Sequence, residues 1–288
     1  RWPWKPLKTL LMNWKKCCNI IFMNKNIFIY KNNTEISGTI ERTLRKKLVK
    51  SGLRALDTYD EQTQLIICIG GDGTLLRLVQ DFGFPKTPIV GINTGHLGFF
   101  QEILPEKIDD FIFLYNQDRY SIQSLTGVAC TIRTDSHVAK HTALNEITVK
   151  GMLTHPVHLN ISINNSFIER FSGDGICVST PAGSTAYNYA LGGSIVDPRL
   201  NVLQVTPIAP IQNVAYRSLT SGILLPANDK LTVIPCSEDD STLSITYDGM
   251  LAEYDGIKEL SLHLSRKKIN LIRFDNYQFW EKVKSKFL

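Results

Sequence analysis

The sequence has no C-x-x-C pair, and none of its six cysteines, at positions 17, 18, 68, 130, 177 and 236, has a histidine partner at zinc-finger spacing. That excludes a structural zinc module and gives no disulfide framework, so a reducing, cytoplasmic setting is expected. Long hydrophobic runs are missing as well. No stretch of about 18 apolar residues occurs, the least a membrane-spanning helix needs, so no membrane partner is expected. Positive charge is scarce where a nucleic-acid binder would carry it. The formal excess is +5, and residues 1 to 22, with Arg1, Lys5, Lys8, Lys15, Lys16 and no acid, account for all of it. The rest of the chain is balanced and lacks a broad basic footprint, which argues against nucleic acid. Internal repeats and low-complexity segments are also missing.

What is there is enough for a sizeable core. The chain has 288 residues, 43% of them hydrophobic, which allows one large or two modest domains. Residues 1 to 22 are basic and aromatic, but Lys15 and Lys16 break the apolar run and no small-residue cleavage site follows, so they form neither a signal peptide nor a span. Met23 directly precedes NKNIFIYKNN, which reads as the opening of a first strand. Residues 1 to 22 are therefore expected to be a dispensable extension outside the core, the competing reading being a membrane-surface anchor.

From Asn26 to about Tyr120, short apolar runs alternate with helical patterns, the arrangement of a parallel sheet covered by helices. Residues 27 to 30, 65 to 69 and 88 to 92 read as strands. Thr34 to Val49 reads as an amphipathic helix closed by Ser51-Gly52. Pro105 opens another helix whose Ile108, Phe111, Ile112 and Tyr115 share a face. After about Ser121 the apolar period changes to two, as in VHLNISI (157 to 163), with Asn164-Asn165 as a turn, and residues 231 to 235, 242 to 247 and 259 to 264 continue the pattern. The expected fold is an α/β domain with a parallel sheet (23 to 120, with about 266 to 288) and a mainly β domain (121 to 265). YQFWEKVKSKF (277 to 287) is a short amphipathic helix that must pack back on the body.

Three segments carry chemistry. Gly70-Gly71-Asp72-Gly73-Thr74 lies directly between a strand and a helix, where glycines allow close approach of a ligand and the helix offers free N–H groups to a phosphate. It is neither a Walker loop, since no G-K-[ST] occurs, nor G-x-G-x-x-G. Asp72 is its distinctive element, because a carboxylate in an anion cradle repels phosphate unless it binds a metal or takes a proton. A tight turn with a solvated Asp is the plain alternative. The second segment, Gly173-Asp174-Gly175 through Ser179-Thr180-Pro181-Ala182-Gly183-Ser184-Thr185-Ala186-Tyr187 with the trailing Gly192-Gly193, is rich in small and hydroxyl residues. It suits a backbone-lined groove for ribose and phosphate oxygens, although Ser184 could merely cap a helix. The third, Asn145-Glu146, can hold a vicinal diol or an amide edge, but is uninformative alone. His155 and His158, and likewise His137 and His141, lack a converging third ligand, so no metal site is expected; Cys68 and Cys177 read as buried structural thiols.

In these residues the chain resembles the NAD kinase family. GGDGT, NTGHLGFF (93 to 100), the NE pair, the GDG and STPAGSTAY block with its GG, and Asp248-Gly249 occur in family order across roughly residues 65 to 250. RFDNYQFWEKVKSKF is similar to the tail of the Gram-positive branch, residues 26 to 64 match more weakly, and 1 to 22 not at all. The resemblance implies an enzyme that moves the γ-phosphate of ATP to the 2′-hydroxyl of the adenosine ribose of NAD, acting as a homodimer or homotetramer. It implies that Asp72 is the general base, with Gly73 beside it and Gly70, Gly71 and Thr74 forming the phosphate loop. By the same resemblance Asn145 and Glu146 hold an NAD ribose, and Phe99, Asp174, Thr185, Ala186, Tyr187 and Asp248 line the groove, with Ala209 and Ile211 at the adenine end. ATP is expected to bring Mg²⁺, because its charge must be offset and the GGDGT turn has no Lys or Arg. The rivals are another GGDGT kinase, acting on a lipid or sugar phosphate, and a non-catalytic NAD(P)-binding regulator.

Overall fold

The computed structural model describes residues 25 to 288 except 96, 97, 153, 154, 215, 216, 275 and 276. The expected extension, residues 1 to 22, lies outside the described residues. The chain opens with β1 (Asn26–Lys31), α1 (Glu35–Lys50), β2 (Arg54–Leu56), β3 (Leu65–Gly70), α2 (Asp72–Asp81) and β4 (Ile89–Asn93). Thr34 caps α1 by accepting from the Ser37 N–H, and Glu35 and Lys47 and Lys50 suit the two ends of its dipole. Every residue of β3 and β4 is buried, which is why both read as unbroken apolar runs rather than as alternation. A 3-10 turn at Pro105–Lys107 leads into α3 (Ile108–Asn116), which buries Ile108, Phe111, Ile112 and Tyr115, the face read from the sequence.

The remainder is almost all strand: β5 (Ser121–Thr134), β6 (Val138–Ala143), β7 (Glu146–Gly151), β8 (Val157–Ile163), β9 (Ser166–Gly173) and β10 (Gly175–Ser179), then the single turn α4 (Tyr187–Ala190). There follow β11 (Val202–Ile208), β12 (Ile223–Pro226), β13 (Lys230–Pro235), β14 (Leu243–Tyr247), β15 (Met250–Tyr254), β16 (Ile257–Arg273) and α5 (Phe279–Phe287). Asn164 and Asn165 join β8 to β9 with φ of 50° and 67°, the left-handed pair a two-residue hairpin requires. No helix among the described residues is long and apolar enough to cross a membrane.

The strands form a ten-stranded and a six-stranded sheet. The larger runs β2-β1-β3-β4-β16-β13-β8-β9, with β5 and β6 branching beside β16; the smaller runs β12-β11-β10-β7-β14-β15 and is antiparallel throughout. The strand pairs among β1 to β4 are parallel, as expected for the α/β part. One feature was not expected. β16 runs parallel to β4 through Leu271 and Ile89 while its earlier residues pair antiparallel with β13, so the parallel and antiparallel regions are one continuous sheet. The two sheets close on a core that includes Phe171, Ile176, Leu231, Ile245 and Leu260, each essentially buried. Side chains of this kind each contribute about 1.5–3 kcal/mol on leaving water.

Candidate active site

β3 delivers the chain into the GGDGT turn and α2 begins at Asp72, with Gly71 as a cap that has no side chain to offer the first helical N–H groups. Thr74 folds back over Gly70, so close that a Cβ there would stand 2.2 Å from its Oγ1, and Gly70 has φ of 155°. Gly71 and Gly73 face open space, where an added Cβ would meet nothing within 4 Å.

Asp72 is half-buried, and its carboxylate points at the segment after β4. Phe99 N–H donates to Oδ2 at 2.8 Å and Phe100 N–H to Oδ1 at 3.0 Å. Gly98 permits this approach, since a Cβ at that position would lie 2.1 Å from Asp72 Oδ1. The carbonyls of the same segment receive cations from the chain's far end. Arg273, at the end of β16, donates to Phe99 O and Phe100 O at 3.4 and 3.2 Å, and Lys282 of α5 donates to Phe99 O and Gln101 O at 3.2 and 2.8 Å. Arg273 also pairs with Glu102 at 3.1 Å, both side chains nearly buried, and its guanidinium stacks 3.8 Å from the Tyr277 ring centroid. Gln101 donates to Gly71 O at 2.9 Å, tying the segment to the turn.

A second polar cluster sits where β7 begins. Asp248, in the β14 to β15 turn with φ of 48°, accepts from Leu144 N–H at 2.6 Å, Asn145 N–H at 2.7 Å and the Gln80 amide at 2.9 Å. Burial raises its pKa and these donors oppose the rise. Glu146 beside it has no such donors; burial, then the charge of Asp248, push its pKa up to about 8. Glu146 Oε2 and Asn145 Oδ1 are both buried without a hydrogen-bond partner. The Thr180 N–H and the Ser179 hydroxyl donate to Asn145 O, at 2.9 and 3.3 Å, so the start of the STPAGSTAY block packs directly on this pair. Gln80 and Asp72 lie on one helix, roughly 12 Å apart along its axis, so α2 links the two clusters.

The other expected site residues separate into groups. Thr185 and Ala186 are half-buried and Tyr187 is exposed in the turn that leads into α4, next to the Asn145 end. Asp174, Ala209 and Ile211 lie together at the opposite end of β10, where Asp174 N–H donates to Ile208 O and Ile211 N–H to Ser172 O. That is roughly 15 Å or more from Asn145 along the strand, so a single chain does not bring them to the other residues. The Phe99 side chain is only 7% exposed and is covered by Phe279 and Phe287 of α5. Its backbone, not its ring, faces Asp72. Ser184 is no helix cap: its hydroxyl donates to Pro181 O and accepts from Val196 N–H, and the α4 cap position is Ala186. His158 contacts Ser172 Oγ at 2.7 Å, and His141, within β6, stacks on Tyr247. Among the described residues no three His, Cys, Asp or Glu side chains converge on a metal-sized site. Gln80 has no signal in the sequence; Gly98 lies inside NTGHLGFF, and Arg273 and Lys282 inside RFDNYQFWEKVKSKF, each without a stated role.

Residues 16–120 match the ATP-NAD kinase N-terminal domain and residues 144–274 the ATP-NAD kinase C-terminal domain. The NAD kinase of Finegoldia magna is 39% identical over 92% of this chain and all of its own length. The chain belongs to the NAD kinase family. The first match begins at residue 16, inside the stretch read as unrelated to that family. Other NAD kinases at comparable distance include that of Geobacillus stearothermophilus, 34% identical over 90% of this chain and 95% of its own, and that of Staphylococcus aureus strain Newman, 32% over 79% and 86%. The fold is shared with a yeast NADH kinase solved with NADH (TM-score 0.77, 21% identity, 91% of this chain and 87% of that one). It is shared also with an Archaeoglobus fulgidus NAD kinase solved with ATP (TM-score 0.71, 24% identity, 91% and 98%). As a member of the NAD kinase family the chain is an ATP-dependent NAD kinase, and the lipid, sugar-phosphate and non-catalytic readings of its GGDGT turn fall away.

Proposed function

We propose that the GGDGT turn and the Asn145–Glu146 cluster are the two ends of one site in which Asp72 receives the proton of the acceptor ribose. A ribose 2′-hydroxyl is far too weak an acid to ionise beforehand. Asp72 therefore orients it and takes its proton while the new P–O bond to the γ-phosphorus forms, the bond from that phosphorus to the bridging oxygen breaks, and ADP leaves. The backbone N–H groups of Phe99 and Phe100 occupy one lone pair on each Asp72 oxygen and fix the carboxylate's direction, leaving the others for the hydroxyl. The open space at Gly71 and Gly73 is where triphosphate can approach the start of α2.

The observation that carries this reading is the pair of orphaned buried oxygens on Asn145 and Glu146. Leaving a buried acceptor unpaired costs about 1–3 kcal/mol, and ribose hydroxyls are donors of the right size to remove that cost. Asp248, whose lone pairs are taken by backbone and Gln80 donors, acts by holding the pair in place rather than by touching the ligand first. Thr185, Ala186 and Tyr187 line the adjoining wall. Asp174, Ala209, Ile211 and the Phe99 ring receive no role in this arrangement. A divalent cation would come with ATP to offset its charge; among the described residues no three His, Cys, Asp or Glu side chains gather to hold that ion without the nucleotide. The two-part division at about residues 120 and 266 and a homodimeric or homotetrameric state belong to the same reading.

Asp72→Asn tests it. An amide cannot accept from both Phe99 and Phe100, so a modest loss of thermal stability is expected together with a fall in kcat of about 100-fold or more, the range for loss of a general base. NAD affinity by calorimetry should change little. A near-normal kcat overturns the assignment.

A further inference from the structure

Lys282 is a half-buried amine that the reaction described above does not use, and nothing among the described residues pairs it with a carboxylate at ion-pair distance. Its ammonium instead donates to Phe99 O and Gln101 O. The Phe99 carbonyl belongs to the same peptide unit as the Phe100 N–H, which donates to Asp72 Oδ1. One peptide therefore has a cation on its oxygen and the carboxylate on its nitrogen, the arrangement in which successive hydrogen bonds polarise and strengthen one another. Arg273 reinforces the same oxygen, but its charge is already matched by Glu102. Resting on the assignment of Asp72, we propose that Lys282 is a positioning residue that fixes the direction of the Asp72 carboxylate through the Phe99–Phe100 peptide, making α5 part of the catalytic apparatus without contact with substrate.

The groups around the amine set when it is charged. Burial, then Arg273 of β16, pull its pKa down, Glu102 and Asp72 push it back, Lys286 of α5 lowers it, and the result is about 8. The Tyr277 ring, 5.1 Å away, has its own pKa raised by burial and stays neutral. The clamp is therefore charged below pH 8 and lost above it.

Two kinetic measurements test this. In the unaltered enzyme kcat should fall as pH rises through about 8, with the KM for NAD nearly constant, and that limb should be absent from Lys282→Met and displaced upward in Lys282→Arg. At pH 7, Lys282→Met should lower kcat by about 10-fold or more in the parent but by no more than about 2-fold in Asp72→Asn, because a residue acting through Asp72 has little left to lose once that carboxylate is gone. Equal losses in both backgrounds, or an alkaline limb that survives in Lys282→Met, overturn the proposal. Should Lys282→Met not fold, a parent kcat that is flat across pH 7 to 9 overturns it alone. A normal kcat for Asp72→Asn would sink the Asp72 assignment instead, so the two failures are distinct.

Discussion

Glu146 and Asp248 are neighbouring half-buried carboxyls held in opposite ways. Asp248 is surrounded by N–H donors and Glu146 is left with an unpaired oxygen, so one proton resides on Glu146 when the site is empty. The sign of the linkage follows. Glu146 keeps its proton in the folded chain up to about pH 8 and loses it near its ordinary 4.5 when unfolded, so between these values the folded state binds more protons and stability falls as pH rises. Thermal melts without substrate should therefore decline from pH 5 to 8.5, and Glu146→Gln, neutral at every pH, should flatten the decline and melt above the parent at pH 8.5. A parent curve with no decline, or an unchanged slope in the variant, would show that Glu146 titrates normally. The dipeptide Asn145-Glu146 is uninformative by itself and only the resemblance named it together with Asp248; that the Asp248 turn folds onto its backbone is a matter of tertiary structure that no local pattern records.

At the level of elements, legibility followed periodicity. α3 showed its buried face because Ile108, Phe111, Ile112 and Tyr115 recur at helical spacing, and β8 showed its own because Val157, Leu159 and Ile161 alternate. β16 did not. Residues 259 to 264 alternate, but Ser265-Arg266-Lys267-Lys268 looks like a polar loop; the strand passes through it by a register shift against β5 between Leu264 and Lys268 and continues to Arg273. A bulge of this kind depends on the partner strand, which no local pattern records. That continuation puts Arg273 against Glu102. Breaking such a buried pair from one side leaves an uncompensated charge and costs about 3–5 kcal/mol. Arg273→Met should lose stability on that scale in chemical denaturation, and adding Glu102→Gln should recover part of it, giving a coupling of the two sites that independent surface charges would lack.

Across the whole molecule, the parallel sheet is finished by a strand that arrives after the antiparallel region has been traversed. β4 has β3 on one side and, on the other, the end of β16. A fragment of residues 23 to 120 would present β4, every residue of which is buried in the whole chain, as a largely apolar open edge, a template for association. Such a fragment should be insoluble or lack dispersed amide resonances, and coexpression with residues 121 to 288 should restore a soluble complex; a monomeric, well-dispersed fragment would contradict the dependence on β16. The long pairing of β16 with β5 is likewise not visible in the sequence, because which strands become neighbours is chosen by topology rather than by composition.

The same strand imposes an order on synthesis. While the polypeptide leaves the ribosome, β1, β3 and β4 are complete long before their missing neighbour has been translated, and the loop to be closed contains most of the chain. Pairings so distant in sequence form slowly, since chain entropy must be lost before any contact repays it. The nascent chain must therefore carry an unsheltered hydrophobic edge until β16 has emerged, and a chain terminated just before Ile257 would keep that edge open for good.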